Sequence, residues 1–344
     1  MICFVWSQLP QYAARCIGHF VAHTDEECVV LASKPRVPVK GMEQFCGCPI
    51  HWFSENVDVD VKKLLGTIPR VAIINGWGVA AFNSIRDQVR SGGGRVYTMV
   101  DNNFEFSLRL IAKMIVFRLT LRHKYDGFLV PGKSGVRLLR LYGVSPRRIF
   151  TGMYAADPGL FKSRIPLSRR PKRILYVGQL IGRKNILSFS RVFLSIPYEQ
   201  RQGWSLEICG CGPHADLLPR DESIIIHDFV QPEDLAGLYQ NARVFCLPSL
   251  EEHWGLVVHE AALSGCFLLL SRQIGAAEDF AGGANAILFD ARNEAEMRAA
   301  IVKCLSLGDA EFDIAETESL RLSRNASLEK FTEGCHAMIG WNQR

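Results

Sequence analysis

Short apolar runs alternate with amphipathic stretches through the first half of the chain, the rhythm of a parallel sheet covered by helices. Strands are predicted at Ile2–Trp6, Cys28–Ala32, Arg70–Ile74, Arg95–Val100, Gly127–Val130 and Arg148–Thr151, and helices at Gln11–Val21, Val79–Val89, Phe106–His123 and Lys133–Tyr142. From Gly159 to Pro171 the pattern lapses into the polar, proline-bracketed GLFKSRIPLSRRP, which reads as a domain boundary. A second series follows, with strands near Arg173–Val177, Ser205–Cys209, Ser223–His227, Arg243–Leu247 and Phe267–Ser271. Its helices are expected near Asn185–Leu194, Pro232–Asn241, Gly255–Ser264, Glu294–Leu305 and Ser327–Ile339. The expectation is therefore two Rossmann-like α/β domains, residues 1–165 and 166–344, with the last helix free to pack back on the first. A crevice between two such domains is the expected ligand site.

The chain has 344 residues, 48% hydrophobic and 22% charged, which excludes disorder and allows two ordinary domains. No apolar run is long enough to span a bilayer, and MICFVWSQLPQYAAR lacks the basic start and apolar stretch of a signal peptide, so a cytoplasmic location is expected. The eleven cysteines are scattered through apolar runs and read as reduced core thiols. Charge changes the picture more. Residues 1–165 carry 22 Lys and Arg against 12 Asp and Glu, and residues 166–344 carry 18 against 23, so the halves are +10 and −5. A basic first half suits an anionic lipid surface or a phosphate-bearing acceptor, with peripheral contact at the inner face of a membrane. Nucleic acid fits less well, because the basic residues are spread over several elements and no recognition motif accompanies them.

The stretch PSLEEHWGLVVHEAA, Pro248 to Ala262, follows the apolar run VFCL and reads as strand, polar turn and helix. Amides at the start of that helix, around Gly255, Leu256 and Val257, would lack intrahelical partners and carry the positive end of the helix dipole, which suits a diphosphate. Glu252 stands just before the helix and Glu260 about one and a half turns into it. An ionised carboxylate only accepts hydrogen bonds, which fits it to the hydroxyls of a sugar or ribose. Two glutamates eight apart, taken alone, read equally as a solvated helix face.

PSLEEHWGLVVHEAALSG resembles the E-x7-E segment of glycosyltransferase family 4, a family of retaining enzymes with the two-domain GT-B fold. The resemblance continues in LYVGQLIGRKNI, similar to the family's glycine turn and basic loop, in ICGCGPHADLL, similar to its G-x-G-P turn, and in FVQPEDLAGLYQNARVFCLPS. FLVPGKSGVRLLRLYGVSPRRIFTGMYAADPGLF is similar to the end of its first domain. Residues 125–340 carry the likeness. It implies that Glu252 contacts the transferred sugar, Glu260 the ribose hydroxyls, and Lys184, with Arg183 and the Gly178 turn, the donor phosphates. It also implies a metal-independent transfer from a nucleotide-diphosphate sugar to a glycan or lipid-linked acceptor, in polysaccharide or glycoconjugate biosynthesis, with no cofactor.

Several positions depart from the family pattern. Gln179 stands where the family has an arginine, and Ser7-Gln8-Leu9-Pro10 replaces its first Gly-Gly loop, leaving Gln8 as the candidate contact there to donor phosphate or acceptor. Val100-Asp101-Asn102-Asn103 lacks the family's histidine; Asp101 either takes its place or caps a helix. Trp254 either stacks on a sugar or fills the site wall. Asp58 and Asp60 have metal-binding D-x-D spacing, but they precede the helical VKKLL and are expected to cap it. Cys46/Cys48 and Cys209/Cys211 lack a second matching pair, so no zinc site is expected. The segment Phe106–His123 is read as a core-packing helix with a basic solvent face (Arg109, Lys113, Arg118, Arg122), the alternative being an interfacial helix on anionic lipid. Two rival functions are a nucleotide-sugar epimerase on the same scaffold and a catalytically silent sugar- or nucleotide-binding subunit.

Overall fold

The computed structural model describes residues 1–35, 41–55, 58–102 and 113–341 and separates them into two compact units. The first comprises Met1–Ala155 with Ala326–Arg344, and the second Ala156–Asn325. The chain thus leaves the first unit at Ala155, just ahead of the proline-bracketed segment and ten residues before the expected boundary at 165, and re-enters it for the last helix.

In the first unit seven strands form a sheet in the order β3-β2-β1-β4-β5-β6-β7, every pairing parallel. They are β1 (Ile2–Trp6), β2 (Cys28–Ala32), β3 (Ile50–Trp52), β4 (Val71–Asn75), β5 (Arg95–Met99), β6 (Gly127–Val130) and β7 (Ile149–Thr151). Every residue of β1 and β2 is buried, as helices on both faces require, and this is why these strands read as unbroken apolar runs. The helix Leu328–Gly340 completes the unit. It packs on the helix Gln11–Ala22 and on β6 and β7, with Phe331 stacked on Phe4 at 6.4 Å. Thr332 and His19 share a hydrogen bond of 2.8 Å, and Arg95 donates to the Ile339 carbonyl at 3.2 Å.

The second unit repeats the plan with six parallel strands in the order β10-β9-β8-β11-β12-β13. They are β8 (Arg173–Val177), β9 (Ser205–Cys209), β10 (Ile224–His227), β11 (Val244–Leu247), β12 (Phe267–Ser271) and β13 (Ala286–Phe289). The strand order reverses at β8/β11, so the loops leaving those two strands splay apart and open a crevice at their carboxyl ends. His259 holds the two ends of this unit together. Its Nδ1 accepts the Ala156 N–H at 3.0 Å, which places the ring proton on Nε2, and Nε2 donates to the Ser323 carbonyl at 2.9 Å.

Nine of the eleven cysteines are buried and none is bonded to another; burial pushes up the thiols of Cys3, Cys46, Cys246, Cys304 and Cys335, and that of Cys266 to about 11. They are unreactive core residues.

Candidate active site

The loops after β8 and β11 carry most of the candidate residues of the second unit. After β8 the chain turns at Gly178 and forms a short 3-10 turn, Gly182–Lys184, which ends on Asn185 in the left-handed region (φ +57°). The turn after β9 runs directly against it: a Cβ on Gly210 would lie 1.9 Å from the Gly178 carbonyl oxygen, so only glycine permits that approach. The loop after β11 is fastened to the same turn, because Leu250 N–H donates to the Arg183 carbonyl at 2.8 Å.

Glu252 is held from two sides. Its backbone N–H donates to Gln273 O and its carbonyl accepts from Gly275 N–H, both at 3.2 Å, which fixes it against the loop after β12. Its side chain is buried, and Oε2 accepts from the Lys184 ammonium and from the Ser249 hydroxyl at 3.4 Å. Arg183 Nη1 lies 3.8 Å from the same oxygen and donates to the Glu251 carbonyl at 3.3 Å. Lys184 is buried as well, so the two charges neutralise each other where water is scarce.

Gly255 initiates the next helix, Leu256–Leu263, from a left-handed conformation (φ +87°). A Cβ there would sit 3.1 Å from Glu252 Cγ, which brings the helix start against the Glu252 side chain. No side chain caps this end, and the first amides of a helix have no intrahelical acceptor. Lys184, Glu252 and the Gly255–Val257 turn therefore form one locus with a cation, a carboxylate and a positive dipole end.

Glu260 lies farther along the same helix, partly buried, and accepts from the Tyr239 hydroxyl at 2.8 Å. Burial pushes its carboxyl up to about 7, against the opposing effect of that hydrogen bond. Tyr239, fully buried on the helix Pro232–Asn241, and Ser249 were not singled out from the sequence. Their only signal there is membership of the segment that leads into the site. Trp254 is 3% exposed and packs edge-on against Phe280 at 5.8 Å, so it fills the interior of the unit and offers no face for stacking.

Gln8 and Asp101 belong to the first unit. Gln8 follows β1 in a left-handed conformation (φ +48°), with its N–H donating to the Ser33 hydroxyl at 2.7 Å. Asp101, after β5, accepts from the Tyr154 hydroxyl at 3.0 Å. The residues that it could cap, from 103 onward, lie outside the described residues, as does Arg109. Asp60 caps the helix Val61–Leu65 by accepting the Lys63 N–H at 2.9 Å, as its position predicts.

The described part of the segment Phe106–His123 reverses one expectation. Ile115, Val116 and Leu119 are 50%, 55% and 75% exposed, while Arg118 turns back to donate to the Leu141 carbonyl at 2.7 Å. Apolar side chains, not only basic ones, face solvent, because the backbone widens to a π-helix over Phe117–Leu121 and rotates the faces that a regular helix would present. Among the described residues no helix is long and apolar enough to cross a membrane.

Residues 171–307 match the family model described as Glycosyl transferases group 1. The match falls within the second unit. The O-antigen chain mannosyltransferase B of Escherichia coli is 29% identical over 166 residues, a match spanning 46% of this chain and 43% of that relative. Of solved structures, Anabaena HepE in complex with UDP superposes with a TM-score of 0.79 over 98% of this chain and 99% of that one, at 13% identity. WaaG, a glycosyltransferase involved in lipopolysaccharide biosynthesis, does so with a TM-score of 0.66 over 98% and 99%, at 14% identity. At those identities the likeness establishes the fold: two parallel-sheet α/β domains of the GT-B type.

Proposed function

We propose that this chain is a retaining, metal-independent glycosyltransferase that moves a sugar from a nucleoside-diphosphate donor to a glycan or lipid-linked acceptor in polysaccharide or glycoconjugate biosynthesis. The observation that carries this reading is the convergence of Lys184 and Glu252 on the uncapped start of the helix Leu256–Leu263. The match of the second unit to the group 1 family model, the mannosyltransferase relative and the likeness to HepE bound to UDP support a nucleotide-sugar donor.

Glycosyl transfer leaves negative charge on the departing diphosphate as positive character grows at the anomeric carbon. The Leu256 and Val257 amides and the Lys184 ammonium meet the first need, in a pocket where fixed donors act more strongly than in water. Glu252 meets the second. Glu252 is paired with Lys184; a donor phosphate that draws Lys184 toward itself frees the carboxylate for the hydroxyls of the transferred sugar. Glu260 accepts from the ribose. The positive charge that a divalent ion would otherwise supply comes from the chain itself, so no metal is required.

The acceptor end is assigned to a membrane surface. The exposed Ile115, Val116 and Leu119, flanked by Lys113 and Arg122 in a basic unit, suit shallow insertion among anionic headgroups at a cytoplasmic face.

The decisive test is incubation of the purified protein with a panel of nucleotide sugars, reading thermal stabilisation and diphosphate release. Stabilisation with release and a glycosylated acceptor supports transfer. Stabilisation without turnover on any acceptor tried points to a silent binding subunit, and interconversion of the sugar without acceptor points to an epimerase.

A further inference from the structure

A second recess lies at the carboxyl ends of β1, β2 and β3, wholly within the first unit and, Gln8 excepted, apart from the residues assigned above to the donor. It is a shallow, open recess of about 500 Å³ lined by Gln8, Ser33, Lys34, Trp52, Phe53 and Glu55. Parallel sheets collect ligands at this end of their strands, where the loops leave the sheet.

The polar part of the recess is built around one carboxylate. Glu55 Oε1 accepts from the hydroxyls of Ser7, after β1, and of Ser33, after β2. Ser33 Oγ in turn accepts the Gln8 N–H at 2.7 Å, so the left-handed turn at Gln8 and the Glu55 side chain lock each other in place. Both serine bonds fall on Oε1, and Oε2 is left as an acceptor in the cavity wall. The apolar part is aromatic. Trp52 is half-buried, and its indole N–H donates to Glu43 at 3.4 Å, which holds the ring; Phe53 is anchored edge-on against Phe82 at 6.3 Å.

An oriented acceptor beside a fixed aromatic surface suits a ligand with hydroxyl donors on one side and C–H groups on another, which is the chemistry of a sugar ring. Its charge argues further. A phosphate or uronate would meet the Glu55 carboxylate at close range, where like charges repel, and Lys34 at the exposed rim is too well solvated to offset it. We infer that this recess is a saccharide subsite that takes a neutral pyranose unit of the acceptor, with Glu55 Oε2 accepting its hydroxyls and Trp52 covering its C–H face.

The role as acceptor subsite rests on the glycosyl-transfer reading; the binding does not. Neutral methyl pyranosides of the gluco, galacto and manno series, with methyl glucuronoside and glucose 6-phosphate as anionic counterparts, serve as probes in saturation-transfer NMR. At least one neutral pyranoside should bind to wild type, weakened about tenfold or more by Glu55→Gln and by Trp52→Leu, each lost contact being of that size. Nucleoside-diphosphate affinity should stay unchanged in both variants, and unchanged circular-dichroism spectra and thermal unfolding show that the first unit still folds. In transfer assays the same variants should raise KM for acceptor and leave acceptor-free donor hydrolysis alone. Tighter binding of the anionic probes, pyranoside signals equal in wild type and both variants, or no signal from any neutral pyranoside would overturn the subsite. A wild type that binds pyranosides through Glu55 and Trp52 but releases no diphosphate would sink glycosyl transfer and leave the saccharide site standing.

Discussion

Lys184 and Glu252, 68 residues apart in sequence, form a buried ion pair that joins the loop after β8 to the loop after β11, with the Ser249 hydroxyl and Arg183 on the same carboxylate oxygen. Removing one member strands the other charge. Lys184→Met should therefore destabilise the protein by about 3–5 kcal/mol, whereas Lys184→Met with Glu252→Gln should recover much of that loss. Denaturant titration of the four proteins of the cycle checks this; additive single effects would mean that the pair is not coupled.

Glu252→Gln alone keeps the shape of the site. Nucleoside-diphosphate affinity should stay near wild type while kcat falls roughly 10- to 100-fold, the loss of one charged hydrogen bond in the transition state. Equal turnover in the two proteins would move the sugar-side role to Glu251.

Glu260 gives a pH signature of defined sign. Its folded-state pKa, about 7, lies above the ordinary carboxyl value of 4.5. The stability linked to it is therefore complete below about pH 4.5 and is lost as pH rises through 7, and Glu260→Gln should flatten that slope in pH-dependent unfolding. Nucleoside binding should run the other way. An ionised carboxylate accepts two ribose hydroxyls, so affinity should rise with pH toward 7 and beyond, with proton release measurable by calorimetry in two buffers. Using a nucleoside without phosphates keeps phosphate titration out of the measurement. Glu260→Ala should weaken binding by roughly 1.5–3 kcal/mol and abolish the pH dependence.

If the amides of the helix start and Lys184 supply the positive charge, turnover should persist in excess chelator. Strict dependence on manganese or magnesium would return Asp58 and Asp60 to consideration as ligands, and Asp60→Ala would then cost activity and not only the cap of Val61–Leu65.

Association with acidic vesicles should fall steeply as the Debye length shrinks from about 10 Å at 0.1 M salt to about 3 Å at 1 M. It should also weaken in Leu119→Glu, which puts a charge at the most exposed of the three apolar side chains. Flotation assays with neutral and acidic vesicles decide the matter; equal binding to both would rule out the electrostatic part.

The interior strands of both sheets were legible because burial on two faces writes them as continuous apolar runs, and β1, β2, β6, β8, β9 and β12 lie where those runs predict them. Of the four outer strands, β7 and β10 were predicted and β3 and β13 were not. β3 has only half-buried residues over Ile50–Trp52, and β13 exposes part of Ala286–Phe289, so neither carries the pattern of a central strand. The helix Asp309–Ser323 was missed for a different reason: its inward face is Phe312, Ala315, Ser319 and Ser323, correct in spacing but mostly small or polar. In the site, the motif residues could be named from local pattern, but their partners could not. That Lys184 meets Glu252 depends on β8 pairing with β11, and that Tyr239 meets Glu260 depends on a neighbouring helix crossing at the right height. The exposed face of residues 115–119 was misread because a π-turn shifts the phase that helical periodicity assumes.

The return of Leu328–Gly340 to the first unit sets an order of events during synthesis. The first part of the first unit is synthesised before the second unit, yet the surface of β6, β7 and Gln11–Ala22 that this helix covers stays open until the second unit has also been made. The second unit, continuous in sequence, is complete earlier. Maturation therefore runs against the direction of translation. The half-made protein carries an exposed apolar seam around Phe4 and Phe20, and that seam is where chaperone binding or aggregation of stalled chains should concentrate.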